Sequence, residues 1–184
     1  MDETPIRIAD YDPTWADRFE AERDRLGTWI GDYVSRLEHV GSTSVPGLAA
    51  KPIVDITAVV SDVAGLWGDL DKLSAALGYE LSHVPGDWLF VQRTDADGQA
   101  YNLHLIERSS EQWRHDLRFR EYLRARPAVR DEYEAVKREA AAANRDDIDA
   151  YNAAKAEYCE SIVERALDAD DISVPPRDGD EDET

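Results

Sequence analysis

A chain of 184 residues with 42% apolar side chains has material for one compact domain with a sizeable core. Its formal net charge of −19, from 40 acidic against 21 basic residues, argues against general binding to DNA or RNA, which needs clustered cations to displace counterions, so a nucleic acid would have to meet a locally basic patch. One cysteine, Cys159, excludes an intramolecular disulfide and any cysteine-based metal cluster.

The ends of the chain set expectations about where it works. The first residues, Met1-Asp2-Glu3-Thr4-Pro5, lack the basic and apolar regions of a signal peptide, and no apolar run approaches the roughly 20 residues of a membrane span. A cytoplasmic protein with no membrane partner is expected. Self-repulsion of the size implied by −19 strains a compact fold at low ionic strength, whereas at molar salt the Debye length falls to about 3 Å. The surface therefore reads as halophilic, suited to a salt-rich cytoplasm, the alternative being an ordinary acidic protein.

Taken in order, Ile6–Ile8 reads as a short strand. Asp12 and Pro13 then open a helix over about 13–31, with Trp15, Phe19, Leu26 and Trp29/Ile30 on one apolar face. Alternation predicts a half-exposed strand over Val34–Val40 and a more buried one over Ile53–Val60, joined by a turn or short helix containing Pro46-Gly47 and Pro52. Asp62–Leu77 reads as a helix closed by Gly78, and Tyr79–Ser82 as extended. Trp88–Arg93 and Tyr101–Glu107 alternate around Asp95-Ala96-Asp97-Gly98, a hairpin signal. From Ser109 or Ser110, as cap, the pattern is helical, with a break near Pro127, a second helix to about Asn144 and a third from about Asp147 to Leu167.

These elements make an α+β fold: a mixed β-sheet flanked by helices, with a C-terminal helical layer. One domain is expected over 1–169, divided into a mixed core at 6–107 and a helical layer at 108–169. Residues 170–184, rich in acids with Pro175-Pro176, bury too little apolar surface to offset their own ordering entropy and read as a disordered, solvated tail.

Chemistry concentrates between His39 and Thr57. The apolar run ending at Val40 opens into Gly41-Ser42-Thr43-Ser44, and the buried strand that follows carries one charged residue, Asp55. An isolated carboxylate is costly to bury, so Asp55 needs a partner, a set of hydrogen bonds or a metal. A Gly-Ser turn next to an acid-bearing strand suits a nucleotide's phosphates and a divalent cation. Gly41, Ser42 and Thr43 are therefore candidate phosphate ligands, the alternative being a tight turn whose hydroxyls cap a helix. Lys51 is a candidate phosphate partner. His104 shares a strand face with Asn102 and is a candidate metal ligand or acid–base group, the alternative being a hydrogen-bonded core histidine. His39 precedes the turn, alternates opposite Val40 and is a candidate to face the site, whereas His115 carries no role in this reading. Arg120 and Arg124, four residues apart on one helix, could clamp an anion, although pairing with Glu121 or Asp116 competes. Tyr122, Trp113 and Phe119 read as packing, as does Cys159.

The run His39-Val40-Gly41-Ser42-Thr43-Ser44-Val45-Pro46-Gly47-Leu48-Ala49-Ala50-Lys51-Pro52-Ile53-Val54-Asp55-Ile56 resembles the signature of the GrpB family, placed within the nucleotidyltransferase superfamily. Tyr11-Asp12-Pro13-Thr14-Trp15, Asn102 to Glu107, Phe119 to Arg124, and Tyr151 with Lys155 extend the resemblance over about residues 6–167. It implies a nucleotidyltransferase-like fold, and the joining of the module to dephospho-CoA kinase in some family members implies a nucleotide or coenzyme setting. Arg120 and Lys155 fall within its motifs and are carried over as candidate phosphate-binding residues.

Competent nucleotidyltransferases place two acids two apart on the strand after the Gly-Ser turn and a third on a later strand. Here the second position is Thr57 and the third is His104, and Asn102 stands where the family commonly has histidine. One carboxylate does not assemble a two-metal centre. A single divalent ion, magnesium or manganese, on Asp55 and His104 is the expectation that remains. Two functions follow: nucleotidyl or phosphoryl-group transfer with Asp55 and His104 as catalytic groups, or a non-catalytic module that binds a nucleotide, coenzyme or phosphorylated small molecule.

Overall fold

The computed structural model describes residues 5–30, 33–68, 70–84 and 88–176. Its helices are α1 (Thr14–Ile30), α2 (Val63–Trp67), α3 (Leu70–Leu77), α4 (Gln112–Ala125), α5 (Pro127–Ala143) and α6 (Ile148–Leu167). Its strands are β1 (Val34–Val40), β2 (Ile53–Val60), β3 (Glu80–His83), β4 (Leu89–Thr94) and β5 (Ala100–Glu107). The five strands form one sheet in the order β1-β2-β5-β4-β3. Only β2 and β5 run parallel, the other pairs being antiparallel. This is the mixed, helix-flanked sheet that the alternating patterns predict.

Alternation along the central strands sorts side chains to two faces. Val54, Ile56, Ala58, Leu103 and Leu105 pack with Trp15, Phe19, Leu26 and Ile30 of α1 and with residues of α2 and α3 into the main core. Trp29, expected on that stripe, is 52% exposed, because Ile30 takes the buried position. The other face presents Asp55, Thr57 and Val59 of β2 and Asn102, His104 and Ile106 of β5. Its apolar end joins Trp113 and Leu117 of α4. The helical layer of α4, α5 and α6 is cemented separately by Leu123, Tyr133 and Ile162 together with Val45 and Leu48 from the loop between β1 and β2.

Several boundaries differ from the sequence expectation for local reasons. The segment 62–77 divides into α2 and α3, with Asp62 capping the first helix through the Gly65 amide and Gly68 ending it. Ile6–Ile8 forms no strand. Instead Ala9 makes a single antiparallel bridge to Ala50, while Ile6 and Ile8 pack on Ala140, Ala141 and Tyr151. Within the segment expected as a tail from 170, Asp171 pairs with Arg126 at 2.6 Å, and Ile172 and Val174 pack on two of the apolar clusters. The remainder of the expected tail, 177–184, lies outside the described residues. No helix among the described residues is long and apolar enough to cross a membrane.

Candidate functional site

A cavity of about 820 Å³ opens between the polar face of the sheet and the helices α4, α5 and α6, within the usual range for small-molecule sites. The turn after β1, the ends of β2, β4 and β5, and side chains of all three helices line it. It therefore exists only once the C-terminal layer docks on the sheet.

The turn is built to approach Asp55 closely. Gly41 has φ +67, and a Cβ there would lie 2.5 Å from Asp55 Oδ2, so only glycine lets the backbone settle on the carboxylate. The Ser44 hydroxyl donates to the Gly41 carbonyl at 2.6 Å. Thr43 donates to the Ile53 carbonyl at 3.0 Å and lies 3.0 Å from His39 Nε2. With its own proton committed to that carbonyl, Thr43 Oγ accepts from His39, which puts the imidazole proton on Nε2. The ring stacks on Phe19 at 5.0 Å. Burial, with Arg124 and Arg120 nearby, pushes His39 down to about 4. His39 is thus a neutral brace under the turn, on the α1 side of the sheet.

Asp55 Oδ1 accepts from Asn102 Nδ2 at 2.6 Å, and Asn102 Oδ1 accepts from Gln92 Nε2 at 2.9 Å. An amide chain across β4, β5 and β2 therefore answers the lone acid's need for donors. One register step further, Thr57 sits opposite His104. Thr57 donates to Asp116 Oδ2 at 2.9 Å, and Gln112 donates to Oδ1 at 3.0 Å. Asp116 comes from α4 and brings to this wall the second carboxylate that β2 lacks. Burial raises its pKa, against the lowering pull of His104, Thr57 and Gln112 and with a smaller push from Asp55. The His104 ring lies 5.1 Å from both Trp88 and Phe90. Among the described residues, no group of three or more His, Cys, Asp or Glu side chains is arranged to hold a metal ion.

The opposite wall is basic. Lys51 and Lys155 each hold Nζ 5.4 Å from the centroid of the Tyr151 ring. Burial lowers the pKa of Lys51, while Asp55 raises it and Lys155 lowers it further. Lys137 of α5 joins them, 2% exposed, donating to the Ala49 carbonyl and lying 4.8 Å from the Tyr133 ring centroid. Burial pushes Lys137 down to about 7. Three of the four lysines in the sequence line this one cavity, and among the described residues none of the three forms an ion pair. Tyr151 is pushed up to about 12 by burial and Cys159. Cys159 Sγ donates to the Tyr133 hydroxyl at 3.4 Å, and burial raises Tyr133 well above its ordinary value.

The cavity brings together Gly41, Ser42, Thr43, Lys51, Asp55, His104 and Lys155 of the sequence-derived candidates. It does not include Arg120. That guanidinium donates to Glu38 at 2.9 Å, to the His39 carbonyl at 2.8 Å and to Glu121 at 2.7 Å. Arg124 donates twice to the Ser44 carbonyl, at 3.1 and 2.7 Å. The two arginines hold the two ends of the turn, with carboxylates and backbone carbonyls as their acceptors. Sequence reasoning gave no site role to Asp116, Lys137, Tyr133, Tyr151, Gln92 or His115, all of which line the cavity. Lys137 did carry a signal: Tyr133, Lys137, Ala140 and Ala141 form one buried stripe of α5, where a lysine is out of place.

Comparison with known proteins agrees with this architecture. The profile of the family described as GrpB protein matches residues 5–165. A UPF0157 protein of Streptomyces coelicolor is 41% identical over 162 residues, spanning 88% of this chain and 84% of its own. A dephospho-CoA kinase of Mycolicibacterium paratuberculosis is 31% identical over 189 residues, but the match spans 89% of this chain and only 46% of that protein. The crystal structure of the conserved protein GrpB from Enterococcus faecalis superposes with a TM-score of 0.76 at 29% identity, covering 88% of this chain and 98% of that one. The GLD-2/RNP-8 complex superposes with a TM-score of 0.54 at 17% identity, covering 91% of this chain and 64% of that one. The last is a likeness of fold alone, and the fold is nucleotidyltransferase-like.

Proposed function

The chain belongs to the GrpB family, and from that premise we propose that the cavity binds a nucleotide or another phosphorylated small molecule, its phosphates held by Lys51, Lys155 and the Gly41–Thr43 turn. The observation that carries this reading is the convergence of three lysines that form no ion pair among the described residues, in a protein of net charge −19. Like charges gathered in a half-buried site raise the energy of the empty protein, and an anionic ligand removes that cost. An acid-rich chain that wanted these lysines neutralised has 40 carboxylates from which to do it. The kinship with a dephospho-CoA kinase supports a phosphorylated coenzyme among the candidates.

The donor set does not fit a resident two-metal centre. Asp55 has one oxygen bound by Asn102, Asp116 has both oxygens engaged, and Thr57 replaces the second acid. Ligand binding without a requirement for metal is therefore the primary reading, and a magnesium or manganese ion would enter with the ligand's phosphates near Asp55 and His104.

Calorimetry in concentrated KCl, with ATP and with inorganic pyrophosphate, each with and without manganese, tests it. Binding is expected for at least one of them, weakened at least tenfold, about 1.4 kcal/mol, by Lys155→Gln. Affinity unchanged by Lys155→Gln and by Lys51→Gln, or no binding of any phosphorylated compound in a thermal-shift screen, overturns the reading. Manganese-dependent turnover lost in Asp55→Asn would replace it with group transfer.

A further inference from the structure

Lys137 is the one cavity lysine whose amine is almost wholly removed from water. A buried ammonium is ordinarily matched with a carboxylate, and an acid stands one helical turn away on the same helix. That acid, Glu134, is already engaged: its carboxylate accepts from the Ala49 amide at 3.0 Å and from Arg138 Nε at 3.0 Å. Lys137 is left with the Ala49 carbonyl as its hydrogen-bond partner among the described residues. Glu134 and Cys159 favour the charged amine, whereas burial, Lys155 and Arg138 oppose it. The Tyr133 ring, against which Nζ lies, adds an uncharged wall. A lysine desolvated beside another cation is the setting in which an amine becomes a nucleophile.

We propose that Lys137 is a nucleophilic amine of this cavity, able to capture the carbonyl carbon of a phosphorylated aldehyde or ketone as an imine. For its anion anchor the proposal rests on the phosphate-binding reading of Lys51 and Lys155. In the reaction the Nζ lone pair adds to the carbonyl carbon, giving a carbinolamine. The carbonyl oxygen then leaves as water carrying the two hydrogens of the amine, and a C=N bond remains. No oxidant, reductant or further reactant is needed. The step requires the neutral amine, a form that burial brings within reach of neutral pH for Lys137, whereas an ordinary lysine is almost wholly protonated there. Its bond to the Ala49 carbonyl uses one N–H and leaves the lone pair of the neutral form available.

The four lysines make the test simple to read. The full chain is incubated with pyridoxal 5′-phosphate or with pyridoxal, which lacks the phosphate, then reduced with borohydride and peptide-mapped. Lys72, exposed on α3, is the internal reference. Lys137 is expected to be modified at least tenfold faster than Lys72 at pH 7, with a midpoint near that pH, faster by the phosphorylated aldehyde, and protected by pyrophosphate. Label on Lys51, Lys155 or Lys72 in preference to Lys137 overturns the proposal. An unlabelled Lys137 in a protein that still binds pyrophosphate removes this proposal and spares the phosphate reading. Labelling of Lys137 by both aldehydes alike, without protection by pyrophosphate, sustains the amine and removes the anchor. Lys137→Met should abolish the fast label while leaving Lys72 unchanged, and the wild-type map decides the matter if that variant does not fold.

Discussion

Both faces of the sheet bury charge, and they treat it in opposite ways. Beneath α1, Glu22 is 1% exposed and accepts from the Tyr79 hydroxyl at 2.9 Å, from Arg93 at 3.0 and 2.6 Å, and from Arg25 at 2.8 Å. Arg93 also pairs with Asp95 and lies 4.3 Å from the Tyr101 ring centroid. Every charge in that cluster has an opposite charge against it. Beneath α4 to α6, the lysines share a cavity and the carboxylates of Asp55 and Asp116 are held by amides and hydroxyls, with no cation bonded to either among the described residues. A charge satisfied from within stabilises or orients the fold, whereas a charge left for something outside the chain marks a site.

The largest effect expected from breaking this contrast is in the paired cluster. Glu22→Gln removes the buried carboxylate between Arg93 and Arg25 and leaves the Arg93 guanidinium only the more exposed Asp95, at a cost of about 3 kcal/mol. In a chain of this length that lowers the thermal midpoint by roughly ten degrees. Denaturant unfolding should show the loss, and calorimetry should show unchanged ligand affinity in the protein that remains folded. A loss of affinity matching the loss of stability would mean that the two faces are not independent.

An intermediate effect is expected at Gly41, where the turn meets Asp55. Alanine there must adopt a positive φ and place its Cβ against a carboxylate oxygen, at a cost of about 1–3 kcal/mol. Gly41→Ala combined with Asp55→Ala relieves the contact but not the backbone strain, so the double variant should lose less stability than the two single losses added together. Strict additivity would refute the close approach as the reason for glycine.

What the sequence made legible follows the range of the interactions. The strands Val34–Val40 and Ile53–Val60 appear at their observed bounds because alternation is local, and the hairpin appears because Asp-Gly is. Asp55, His104, Lys51 and Lys155 were readable from a motif and from the face each occupies. Asp116 was not, and Lys137 showed only as a lysine out of place on an apolar stripe, with nothing to say what it faces. Their partners, Thr57 and Ala49, lie 59 and 88 residues away, and the docking that joins them depends on three helices packing as a layer. Arg120 shows the opposite failure: its motif was visible, but Glu38 and the His39 carbonyl, 82 and 81 residues away, decide what it does.

The smallest stability effect, and the one that most sharpens the contrast, is expected at Lys137. With a folded pKa of about 7 against an unfolded value of about 10.4, both states are protonated below pH 7 and the folded state bears the full cost of a buried ammonium. Between the two values the unfolded chain holds more protons, so stability rises with pH across that whole window and levels off only once the unfolded amine is neutral as well. Lys137→Met removes this contribution. The variant should therefore exceed wild type by about 1 kcal/mol at pH 6 and fall below it near pH 10, where only the lost bond to the Ala49 carbonyl counts. Ligand affinity should drop at neutral pH. Paired denaturant titrations at the two pH values measure the difference with other titrating groups cancelled, and an equal loss at both would make Lys137 a structural strut of the loop it touches, no different in kind from Glu22.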